Sequence, residues 1–141
     1  LTALTVILVR PALAFEEINK SFIGGVGLSG FDAVSYFMEG KAVAGDKSLS
    51  FEWKGAKWLF SNPAHRDRFK ANPQAYAPQY GGHCSNQMSL GNLSDIDPKV
   101  WLVFEGKLYL FGHDVGRQRW SEKTSQRIAE ADANWRRFLA Q

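Results

Sequence analysis

Two runs of alternating apolar residues limit what this chain can fold into. Phe51, Trp53, Ala56, Trp58 and Phe60 alternate on both sides of Lys54-Gly55. Residues 100–104 and 107–111, rich in β-branched and aromatic side chains, flank Glu105-Gly106 in the same way. A period of two marks a half-buried strand, and glycine in the intervening pair accepts the positive φ of a tight hairpin turn. Two hairpins are therefore expected, forming a small antiparallel sheet of about four strands.

Helical signals surround the hairpins. Asp32 or Ser29 is placed to cap a short helix over residues 33–39, with Gly40 as its stop. Ser61-Asn62-Pro63 and Asn72-Pro73 each supply a start signal, with proline where no backbone donor is lost. Phe69 would face inward, with His65 four positions earlier on the same face. Thr124, Ile128, Ala131, Trp135, Phe138 and Leu139 recur at spacings of three and four, and Ser121 could cap them. They predict a long C-terminal amphipathic helix against the sheet. The fold class is α+β, and 141 residues suffice for one such domain.

Residues 1–14 read differently. They are largely apolar up to Val9 and end in Ala12-Leu13-Ala14, the small-x-small pattern of a signal-peptidase site. They are expected to be the C-terminal part of a secretory leader, leaving residues 15–141 as one exported domain, periplasmic or secreted. The apolar run is shorter than the roughly 20 residues of a membrane span, so no stable span is expected after cleavage. Seventeen Lys and Arg against fourteen Asp and Glu give a charge of +3. The basic residues form no stripe, which argues against a nucleic-acid partner.

Export makes the single cysteine, Cys84, conspicuous, because it has no partner for an intrachain disulfide. It follows Gly81-Gly82-His83, and Met88 stands four residues on. Two glycines permit a tight turn or a close backbone approach. Thiol, imidazole and thioether are ligands that soft metal ions select. A helix from Cys84 to Gly91 would place Cys84 and Met88 on one face. With His83, and with His65 or His113 from elsewhere, they would make a copper site; zinc is the weaker fit, since only one thiolate is present. No glycine pattern for nucleotide phosphates occurs, and adjacent His83 and Cys84 in an extended segment would point apart.

Further matches form an ordered series. Gly30-Phe31-Asp32-Ala33-Val34-Ser35-Tyr36-Phe37, Gly55-Ala56-Lys57-Trp58-Leu59-Phe60, Asn72-Pro73 with Tyr76, Pro78-Gln79-Tyr80-Gly81-Gly82 with Cys84, Asp97-Pro98, Gly106-Lys107-Leu108-Tyr109-Leu110 and Ala131-Asp132-Ala133-Asn134-Trp135 follow one another. Through them the chain resembles the YHS domain family, in particular its small exported bacterial members. The resemblance implies a short α+β domain found with metal-handling proteins, and metal binding as its role. His83 stands where many members carry an aromatic residue, and the Tyr-His-Ser triplet and a cysteine pair of some members are absent.

Three functions compete at this level. The first is an accessory domain that binds or senses copper through Cys84 with His83, Met88 or His65, serving a metal-handling protein or a homo-oligomer. The second is a protein-interaction or small-ligand module without metal, using aromatic residues in excess of the core's needs: five Trp and ten Phe. The third, a thiol redox protein, would need a partner thiol.

Overall fold

In the computed structural model both hairpins close on turns with two successive left-handed residues. Lys54 and Gly55 have φ of 48° and 72°, and Glu105 and Gly106 have 49° and 75°. This turn matches the right-handed twist of the flanking strands. The structure describes residues 2–7 and 15–141. Strand β1 (Asp46–Trp53) pairs antiparallel with β2 (Ala56–Phe60), setting Trp53 opposite Ala56 and Phe51 opposite Trp58. Strand β3 (Asp97–Phe104) pairs with β4 (Lys107–Phe111), setting Val103 opposite Leu108 and Trp101 opposite Leu110. The register shifts in each hairpin ahead of the regular pairs, between Asp46 and Ser50 and between Asp97 and Trp101. The hairpins remain two separate two-stranded sheets.

Helices fill the spaces that the expected α+β fold requires. Helix α1 (Ser35–Met38) is shorter than the anticipated span, because Ala33 and Val34 form a turn instead. Helix α2 (Pro63–Ala71) begins as its sequence suggests: Asn62 is the cap, and its side-chain oxygen accepts from the His65 N–H at 2.8 Å. Helix α3 is Pro73–Tyr76 and helix α4 is Ser85–Ser89. Helix α5 (Asp114–Glu122) has no counterpart in the sequence reading. It buries only Trp120, so it offers almost no apolar period to detect.

Helix α6 (Thr124–Leu139) is the expected long amphipathic helix, although Ser121 does not cap it and instead donates to the Arg117 carbonyl. Leu139 lies 47% exposed, outside the apolar stripe. Buried Asn134 takes a structural role instead, its Nδ2 donating to the Met88 and Ser89 carbonyls at 2.8 and 3.2 Å. These carbonyls end α4, where intrahelical donors run out, so the contact docks α6 on α4.

Two apolar clusters result. The first joins the β1–β2 hairpin to α2 through Trp58, Phe60 and Phe69. The second joins the β3–β4 hairpin to α4, α5 and α6 through Tyr109, Phe111, Met88 and Trp120. Among the described residues, no helix is long and apolar enough to cross a membrane. Residues 2–7 form no helix or strand, with Leu4, Val6 and Ile7 exposed. The expected cleavage site at Ala12-Leu13-Ala14 lies outside the described residues.

Phe69 tests the first cluster. It is fully buried, with its ring centroid within 6.3 Å of those of Phe51, Trp53, Trp58 and Phe60. Phe69→Ala is expected to cost about 3–5 kcal/mol in urea unfolding, from lost burial and the cavity left behind. A loss below about 1 kcal/mol would place Phe69 outside the load of the core.

Candidate functional site

The Gly81-Gly82 segment is the natural starting point. Gly81 has φ +61°, and a Cβ there would fall on the Glu17 carbonyl oxygen. The close approach that the paired glycines suggested is therefore real: it lets residues 17–19 lie against this turn, where the Asn19 N–H donates to the Gly81 carbonyl at 2.8 Å. His83 follows in extended backbone and Cys84 at φ −59° and ψ 119°, and the two side chains part: His83 reaches the Glu16 carbonyl and Cys84 enters the second apolar cluster.

The expected copper site does not form. Among the described residues, no group of three or more His, Cys, Asp or Glu side chains could hold a metal ion. Cys84 is buried and precedes α4, its N–H donating to the Ser94 carbonyl at 2.9 Å. Met88 does share the inward side with Cys84, but that side belongs to the second apolar cluster, and Met88 is fully buried there. Both sulfurs fill core space. His83 turns away, its Nε2 at 3.0 Å from the Glu16 carbonyl, which fixes Nε2 as the protonated nitrogen. His65 lies in the first half of the fold, on α2, bound to Asp32. Exposed His113 borders one small cavity with Cys84, and no third metal-binding side chain joins them. Copper, and zinc with it, is thus not supported.

The Asp32–His65 pair is the polar feature that sequence spacing did not reveal. The His65 Nδ1–H donates to Asp32 Oδ2 at 2.7 Å in a buried setting. Asp32 also caps the turn into α1, as anticipated, with Oδ1 accepting from the N–H groups of Val34 and Ser35 at 2.9 and 3.2 Å. Burial pushes the Asp32 carboxyl upward, but hydrogen bonds from the Ser61 side chain and backbone and from His65, with the His65 charge, hold it below its ordinary value. The geometry is not that of a nucleophile and its base. Ser35 Oγ lies 3.4 Å from Nδ1, the nitrogen that Asp32 already occupies, and the atom facing Nε2 is Glu39 Oε1 at 3.9 Å.

The aromatic residues divide clearly. Trp58 and Trp120 are core. Phe15, His83, Trp135 and Phe138 instead form one mutual cluster at the surface. The Phe15 ring centroid lies 5.3 Å from Trp135, 5.5 Å from Phe138 and 6.5 Å from His83, and His83 lies 6.0 Å from Trp135. Phe15, Trp135 and Phe138 are half-buried. Beside them, His83 shares a hollow of about 350 Å³ with Phe22, which is fully exposed. No family model, curated protein or solved structure matches the chain.

His83 gives this surface a pH dependence. Burial holds its imidazole below the ordinary value, against the opposing pull of the Glu16 carbonyl and the charges of Asp95 and Glu16. A histidine with a depressed folded pKa contributes stability above its unfolded value of about 6.5, which is lost as pH falls through the folded value. Thermal melts from pH 7.5 to 4.5 should therefore show wild type losing stability relative to His83→Phe, which keeps a ring and cannot titrate. A difference that stays constant with pH would contradict this.

Proposed function

We propose that the protein is a binding module of the YHS type, acting outside the cytoplasm, that docks a segment of a partner protein on its aromatic face. The observation that supports this most is the cluster in which the half-buried rings of Phe15, Trp135 and Phe138 gather around the buried His83, with Phe22 wholly exposed in the hollow next to His83. Contiguous exposed aromatic surface is costly in water and is enriched where proteins bind one another. Tryptophan at the centre of such a patch is a common energetic anchor. Arg136 and Arg137 are exposed on the same turn of α6 as Trp135 and Phe138, which favours a partner segment with an apolar or aromatic anchor and acidic flanks.

The buried polar groups support a binding role over a chemical one. Cys84 and Met88 fill core, and His65 is held by Asp32, so none of them presents a reactive atom at this face.

Peptides selected from a random displayed library on the wild-type protein should carry an aromatic or aliphatic anchor beside acidic residues. Phe22→Ser and Trp135→Ala are each expected to weaken those peptides by about tenfold or more. Phe22→Ser should leave the melting temperature unchanged, because the Phe22 side chain is fully exposed. Selected peptides that bind both variants as tightly as wild type would overturn the proposal.

A further inference from the structure

A second candidate site lies beside the β1–β2 turn, and it stands whether or not a partner protein docks on the aromatic face. A cavity of about 130 Å³ opens between that turn, the segment after α3 and α6. A single water needs only roughly 10–15 Å³ of such space, so the cavity admits a group of several heavy atoms. Three aromatic rings line it: Trp53 from the end of β1, Tyr80 from the turn that carries Gly81, and Trp135 from α6. The rings of Tyr80 and Trp135 are inclined at 71° with centroids 6.2 Å apart, so they form a corner rather than a flat wall. Trp53 and Trp135 are half-buried, which leaves part of each ring open.

Lys54 supplies the observation that points to a cation. Its ammonium lies 5.1 Å from the centre of the Trp53 ring, inside the roughly 6 Å reach of a cation–π contact. The same ammonium lies 2.8 Å from Glu17 Oε1. Among the described residues that line the cavity, Glu17 is the one carboxylate and Lys54 the one cation. The wall thus already holds a positive charge between an indole face and a carboxylate. The two side chains are 38% and 41% exposed, and an ion pair this open to water is weak, so an incoming cation can replace the lysine. A primary ammonium is strongly hydrated and stays at the water's edge. A methylated ammonium carries its charge beneath apolar methyl groups, and an aromatic corner receives it without supplying hydrogen bonds.

We infer that this cavity binds a quaternary ammonium group, its methyl groups against Trp53, Tyr80 and Trp135 and its charge beside Glu17, with Lys54 swung out to water. Free cations such as choline and the headgroups of phosphatidylcholine lipids both carry this group, and the cavity recognises what they share.

Calorimetric titration of the full chain with choline tests this, with dimethylbutanol, its neutral isostere, and phosphatidylcholine vesicles as parallel arms. Saturable choline binding with none for the alcohol is expected. Glu17→Gln should weaken choline by about tenfold or more, yet leave the melting temperature unchanged, because the ion pair it breaks is exposed. Lys54→Asn should strengthen choline by about threefold or more, since it removes the competing ammonium. That variant keeps the hairpin, because Asn-Gly is the preferred pair for a turn of two left-handed residues. Sedimentation of the protein with vesicles, reversed by choline, would make the lipid headgroup the source; choline binding without vesicle binding would make it a free cation. Absence of choline binding, equal binding of the alcohol, or choline affinity unchanged in both variants would overturn the inference.

Discussion

The carboxylate of Asp32 accepts five hydrogen bonds in a place that water does not reach: from the N–H groups of Val34, Ser35 and Ser61, from Ser61 Oγ and from His65 Nδ1. Three separate pieces of chain meet at this one group: the turn into α1, the end of β2 and the face of α2. A buried charge is tolerated only when its lone pairs are satisfied, and here all the donors are supplied by the fold itself. The first apolar cluster can close only with these segments in place, because Val34 and Tyr36 follow Asp32, Phe60 precedes Ser61 and Phe69 lies one turn beyond His65. Tyr36 then carries the order onward, its hydroxyl donating to the Pro98 carbonyl at 2.7 Å and its ring meeting Trp101 edge-on. The second hairpin is thereby tied to the first although no strand bridges them.

This arrangement explains why the polar side chains that drew attention in the sequence have internal roles. His65 serves Asp32, His83 anchors the segment before Ile18 through the Glu16 carbonyl, and Cys84 with Met88 fills the space beneath α6. A row of soft ligands in sequence became a row of directions in space, and those directions diverge. What stays at the surface is the half-open ring cluster on the side to which His83 turns.

Local physics made much of this legible in advance. The hairpins rest on alternation and a positive-φ turn pair, each written within about a dozen residues, and α6 rests on an apolar stripe along a helix of sixteen residues. The role of Gly81 and Gly82 in a close approach was visible for the same reason. What could not be read depends on separation. Asp32 could be recognised as a cap, but its bond to His65 spans 33 positions. Helix α5 has one inward residue and so no period. The aromatic face draws Phe15, His83 and Trp135 from three distant segments, and only the folded backbone shows that their rings meet.

Unfolding free energy as a function of pH, compared between wild type and Asp32→Asn, tests most directly whether one buried carboxylate organises the fold. An asparagine amide would set its own N–H groups against donors, so the variant should be less stable than wild type by about 3 kcal/mol or more at neutral pH. Because the folded carboxyl lies below its ordinary value, the gap should be full above about pH 4 and close as pH falls through the folded value. A gap below about 1 kcal/mol at neutral pH, or one that does not narrow in acid, would contradict a fold built on Asp32.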